Sequence, residues 1–180
     1  MVGYRADRVK EITNEVGVYV LCDLDEVPVY VGRSVQGIRG RVQRHLTSAR
    51  SDVIANRQID VWEIAYVWAY PVARENIPAL EQHLFARFHA ESPLMNGQVY
   101  LDPGPLPFPV PEPQRVQVMT DEEIEIRKHP SLRLPRQAQH YERLLDQIVN
   151  VKDAKELRQA LVAHFDRLQR YHRAFLEPYG

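Results

Sequence analysis

The sequence predicts an α+β protein: three strands, the first two joined as a hairpin, set among helices and followed by an α-helical C-terminal extension. Two observations carry this expectation. Residues 17–22, 27–32 and 61–71 alternate with a period near two, the first two runs separated by the acidic turn "DLDE". Residues 37–50, 75–91 and two stretches beyond residue 120 instead repeat their apolar positions every three to four residues.

Taken in order, residues 5–14 read as a short polar helix. If Asp23 pairs with Glu26 in the following hairpin, paired positions sum to 49 and Tyr19 falls directly opposite Tyr30. Directly paired residues share a face, with Cβ atoms about 4.5–5.5 Å apart. The helix "GIRGRVQRHLTSAR" carries Ile38, Val42, Leu46 and Ala49 on its apolar stripe. The third strand, "VWEIAYVWAYP", puts Trp62, Ile64, Tyr66, Trp68 and Tyr70 on one face, a pattern that fits a core face better than a platform for stacking bases. In "ENIPALEQHLFARFHAE", Pro78 suits a first helical turn and Leu80, Leu84, Phe85 and Phe88 define the buried side.

Six prolines among residues 102–113 remove backbone donors and fix φ, so this stretch reads as a semi-rigid connector. Thr120 and Glu123 have capping-box form. Residues 137–149 and 153–176 read as two further helices. The second starts on another such pattern, Asp153 to Glu156, and has Leu157, Leu161, Phe165, Leu168 and Phe175 as its seam. The expected division is an N-terminal arm (1–15), a core (16–101), a Pro-rich connector (102–119) and a helical extension (120–180).

The single cysteine, Cys22, excludes an internal disulfide and a thiolate zinc site. With no apolar run long enough for a membrane span and no apolar core in the N-terminal segment, the reading is a cytoplasmic protein without a membrane partner. Net charge is −1, yet residues 31–60 hold six arginines against two aspartates, a local +4. That cluster is either a solvated helix face or a phosphate-binding one. His83, His89, His129, His140, His164 and His172 show no metal-ligand spacing and read as surface or structural residues.

Glu81 falls at the border of the apolar side of its helix. Glutamate there is either paired with an arginine or held to bind a cation. A lone carboxylate suffices for Mg²⁺ when phosphate and water complete the shell. Arg41 and His45, at i and i+4, share a face that is either a surface pair or looks toward the hairpin.

Together these residues resemble the GIY-YIG nuclease family, most closely its stand-alone restriction-type endonucleases. The two tripeptides appear as "GVY" (Gly17, Val18, Tyr19) and "YVG" (Tyr30, Val31, Gly32), with Arg41 and His45 in "RVQRH", Glu81 in "ALEQHL" and Asn96 in "SPLMNGQ". The resemblance implies a small three-stranded antiparallel sheet flanked by helices, and phosphodiester hydrolysis in DNA, double-stranded in the leading reading, with Mg²⁺ (or Mn²⁺) on Glu81. Tyr19 would take the proton of the attacking water and Tyr30 would position that water. Arg41 would grip the phosphate, His45 would bond the tyrosine or phosphate, and Asn96 would orient the phosphate or the ion's ligands. Arg33, Ser34, Arg39, Arg44 and Arg50 are the candidate nucleic-acid contacts.

A tyrosine costs about 4 kcal/mol to ionise at pH 7, so either positive charge lowers that cost or the proton passes onward; the residues leave both routes open. The C-terminal helices are candidates for a homodimer interface or for packing on each other. The compact form points to a restriction or phage-defence nuclease. The alternatives are a catalytically silent DNA-binding module and a repair, RNA or single-strand nuclease.

Overall fold

The computed structural model describes residues 2–47, 52–96, 98, 100 and 102–177. Four antiparallel strands form one sheet in the order β2-β1-β3-β4. They are β1 (Gly17–Cys22), β2 (Pro28–Ser34), β3 (Tyr66–Pro71) and β4 (Gln114–Gln117). The helices are α1 (Val2–Lys10), α2 (Ile38–Thr47), the short α3 (Asp52–Ala55), α4 (Ile77–Glu91), α5 (Asp121–Lys128), α6 (Pro130–Asn150) and α7 (Lys155–Leu176). The α+β architecture is the predicted one, with a fourth strand added.

β4 lies within the stretch read as connector. It begins directly after Pro113, at the first proline-free run, and pairs only with β3 as an edge strand. The prolines before it strap the sheet instead, placing Leu106, Phe108 and Val110 against the cluster under α4. β3 is shorter than predicted because turns close at Asp60–Glu63 and Val61–Ile64. Trp62 therefore stays off the sheet, 45% exposed, whereas Tyr70 is buried and Tyr66 and Trp68 pack on the core.

The hairpin register also differs from the predicted one. Asp23 pairs through its backbone with Val27, with Asp23 N–H donating to the Val27 carbonyl at 2.9 Å, so the loop holds three residues and Glu26 takes a left-handed φ of 60°. A bulge between Leu21 and Cys22 adds one more residue on the β2 side. Paired positions then sum to 51: Tyr19 faces Gly32, and Tyr30 faces Leu21. Tyr19 and Tyr30 become diagonal neighbours on one face rather than a direct pair.

α1, α2, α6 and α7 cover the face that bears Tyr19, Leu21, Val67 and Ala69. α4 covers the other, where Ile77, Leu80, Leu84, Phe85 and Phe88 meet Val18, Val20 and Val31. The Thr120 capping box forms. The one predicted at Asp153 does not: Ala154 is the N-cap, and both Asp153 oxygens accept from Arg158 at 2.6 Å.

The seam expected on α7 is also displaced. Its buried stripe is Leu157, Ala160, His164, Arg167 and Tyr171, while Phe165 is 50% exposed. Polar residues lie inside because they are paired there. Arg167 donates to Asp23 Oδ2 at 2.7 Å and the Pro28 carbonyl at 2.7 Å. Arg133 of α6 meets Glu63, Asp25 and the Tyr171 hydroxyl, and His164 Nε2 lies 3.1 Å from the Gln58 carbonyl. α6 and α7 thus pack on each other and are bolted to the hairpin turn.

Candidate active site

Three rings form a tight triangle at the β1–β2–α2 junction. Tyr19 and Tyr30 have centroids 6.3 Å apart, and each lies 5.8 Å from the His45 ring. The Tyr19 hydroxyl and His45 Nε2 are 2.7 Å apart. α2 delivers this histidine because its stripe of Ile38, Val42 and Leu46 docks on the sheet and carries His45 inward with it. The i, i+4 pair therefore looks toward the hairpin and is not a surface pair.

Gly32 makes the arrangement possible. A Cβ there would overlap Tyr19 Cζ and Oη, so the missing side chain is the space the phenol occupies. A Cβ on Gly17 would run into the Tyr70 carbonyl of β3. At both positions the close approach is made by the protein's own atoms rather than by substrate.

Tyr19 is 1% exposed. Burial raises its phenol well above the ordinary value, Tyr30 adds to the rise, the Arg41 charge and hydrogen bonding oppose it, and Glu81 raises it further. Tyr30 is raised in the same way, by burial first and by Glu81, with Arg41 and the Tyr19 hydroxyl pulling it down. Arg41 and Glu81 thus both act on the two hydroxyls. Among the described residues Arg41 Nε is a buried donor without a hydrogen-bond partner, the state expected of a guanidinium built to receive an anion.

Glu81 leaves α4 at the rim with its side chain 14% exposed, and Arg33 Nη1 lies 3.4 Å from its Oε2. Both alternatives open in the sequence thus bear on this residue: it is paired with an arginine, and its carboxylate borders the site. Burial raises the carboxyl and Arg33 opposes the rise. Among the described residues no group of three or more His, Cys, Asp and Glu side chains could hold a metal. A single hard carboxylate fits an oxygen-preferring cation whose other ligands are water and phosphate, and suits thiophilic metals poorly.

Asn96 is engaged by the backbone of β2. Its Oδ1 accepts from Val31 N–H at 2.9 Å and its Nδ2 donates to the Val31 carbonyl. Both amide atoms are thereby engaged on the free edge of β2, between Tyr30 and Gly32. Met95 N–H donates to the Val29 carbonyl at 2.8 Å, and Gln58 donates to the Met95 carbonyl. Gln58 and the Asp23–Arg167 pair escaped the sequence reading. For Arg167 a signal existed, its place on a three-four spacing with Leu157, Ala160, His164 and Tyr171; for Gln58 we find none.

The candidate nucleic-acid contacts separate in space. Arg33, Ser34, Arg41 and Arg44 line a cavity of about 250 Å³ with Gly37 and Gly40. Within it Arg33 and Arg44 are exposed, whereas the buried Ser34 hydroxyl donates to the Gly37 carbonyl at 2.7 Å. Arg39 Nε donates to the Ile12 carbonyl at 2.6 Å and ties α2 to the N-terminal segment. Arg50 lies outside the described residues. Among these residues no helix is long and apolar enough to cross a membrane.

Residues 15–93 match the model of the GIY-YIG catalytic domain, a stretch that includes Tyr19, Tyr30, Arg41, His45 and Glu81 and stops just short of Asn96. No curated protein and no solved structure matches the chain. Residues 15–93, which bring both tyrosines together with Arg41, His45 and Glu81, are thus a stretch of GIY-YIG catalytic-domain type.

Proposed function

We propose that the protein is a DNA endonuclease that hydrolyses phosphodiester bonds with Mg²⁺ (or Mn²⁺), in a restriction or phage-defence setting. The Tyr19–His45 hydrogen bond, with Arg41 and the Glu81 carboxylate both acting on the Tyr19 hydroxyl and Arg41 Nε without a partner among the described residues, carries the reading. Family nucleases use divalent ions, and Glu81 is the residue that would hold one here. Bound there, a divalent ion would supply positive charge where the departing 3′ oxygen develops.

The placement of the side chains supports a role for each. Tyr19 is held neutral, so a resting phenolate is not its working form. The attacking water gives its proton to Tyr19 as Tyr19 passes its own to His45 Nε2, a relay that avoids a free phenolate. The water oxygen bonds to phosphorus as the bond to the 3′ oxygen breaks. Arg41 meets the non-bridging oxygens through its planar fork, and Tyr30 orients the water. Asn96 acts by holding Val31, and through it the positions of Tyr30 and Gly32.

The helices beyond residue 120 pack on the sheet domain, which supports the restriction-type reading over one that needs a separate DNA-reading tail. The outer faces of α6 and α7 present Leu134, Ala138, Phe165 and Leu168 around a groove of about 510 Å³. We read this face as the interface of a homodimer on a two-fold target. Light scattering should then show a dimer that Phe165→Glu converts to monomer.

Plasmid incubated with the protein should be nicked or linearised in Mg²⁺ and left intact in EDTA. Tyr19→Phe and Glu81→Ala should lower cleavage by about 10²–10⁴-fold while retaining DNA binding. A gel shift without cleavage by the wild-type chain would instead identify a silent binding module.

A further inference from the structure

Arg33 faces two anions, one supplied by the fold and one that substrate would bring. Its Nη1 lies 3.4 Å from Glu81 Oε2, with the Arg33 side chain 51% exposed and that of Glu81 14%. The same side chain lines the arginine cavity with Arg41 and Arg44. A guanidinium on a carboxylate oxygen obstructs that oxygen for a cation and adds a repelling charge close by. A pair with one half-exposed partner is weakly held, and a phosphate offers the planar fork an anion of equal or better fit.

We infer that Arg33 exchanges Glu81 for a backbone phosphate when nucleic acid binds, releasing Glu81 to take a divalent cation only in the presence of substrate. The inference rests on the nuclease reading above. Arg33 becomes a positioning residue that sets the order of assembly, substrate first and ion second. By linkage the effect runs both ways: substrate tightens the ion, and the ion tightens substrate. In the free protein Arg33 occupies the carboxylate and keeps the site poor in metal, which guards against hydrolysis by a preloaded enzyme at a passing phosphate.

Mn²⁺ binding to the full chain, read from the electron paramagnetic resonance of the free ion, tests this. Without nucleic acid, Arg33→Gln should bind Mn²⁺ about tenfold more tightly than wild type, with Arg33→Lys falling back toward wild type. Adding Glu81→Gln to Arg33→Gln should abolish the gain. In a Tyr19→Phe background, where nothing is cut, a short DNA duplex should tighten Mn²⁺ by a similar factor, and far less once Arg33→Gln is also present. Equal Mn²⁺ affinities for wild type and Arg33→Gln overturn the inference. So does a gain that survives loss of Glu81, or a duplex that leaves Mn²⁺ affinity unchanged. A wild-type chain that fails to cut any nucleic acid would defeat the nuclease reading instead, and the comparison without nucleic acid is read independently of it.

Discussion

Gly32 stands across the sheet from Tyr19, and its missing side chain is where the phenol lies. A methyl group there would also crowd Tyr30 Cε1. Gly32→Ala should therefore cost about 1–3 kcal/mol in urea unfolding and remove most cleavage, although residue 32 carries no chemistry. The buried phenols have their own pH signature. Their folded values are raised, so their contribution to stability is complete below the ordinary tyrosine value near 10 and is lost as pH rises beyond it. Unfolding free energy should fall above pH 10, and less steeply in Tyr19→Phe. Tyr19, Tyr30, Arg41, His45 and Glu81 could be singled out in the sequence because they fall in the order of the motifs that the resemblance rests on. The Arg33–Glu81 contact could be anticipated only as "some arginine", since it joins a strand to a helix far off in sequence.

At the scale of elements, most boundaries followed from periodicity, but the register did not. Alternation places Tyr19 and Tyr30 on one face under either pairing. What separates a sum of 49 from 51 is a three-residue loop, with Glu26 in a left-handed conformation, and a bulge. A non-glycine residue at positive φ leaves no mark on hydrophobic pattern. α7 misled for a related reason. Apolarity selects Leu161, Phe165 and Leu168, whereas ion pairing and hydrogen bonding draw His164 and Arg167 inward. Asn96 belongs to this scale too. Asn96→Ala strips both partners from Val31 at the edge of β2, at a cost of about 1–3 kcal/mol. Cleavage should drop while DNA retention in a filter assay stays near wild type, the outcome expected of a residue whose contacts fix a strand.

Across the whole molecule, Arg167 joins the C-terminal helices to the turn that sets Tyr30 in place. It reaches Asp23, the Pro28 carbonyl and Ser92 Oγ. Arg167→Ala leaves Asp23, 1% exposed, without its principal cation, and should cost about 3–5 kcal/mol by denaturant titration. Residues 16–101 expressed alone should not fold, since Leu144, Ile148, Leu157, Ala160 and Ala163 supply core contacts to the sheet. Acid should also act through these helices. Burial holds His164 down to about 3, with His140 beside it pressing the same way. The unfolded chain protonates first as pH falls below about 6.5, so stability should drop by roughly 1.4 kcal/mol per pH unit for this one group until the folded value is reached. His164→Gln should flatten that slope in unfolding curves taken between pH 7 and pH 4. The two margins of the sheet lead to a different consequence. Asn96 and Met95 cap the outer side of β2, and Arg8 and Thr13 reach β4 from the N-terminal segment. Each contact occupies part of a margin that a second copy would need in order to add a strand, so both edges of the sheet are blunted against fibril-like stacking.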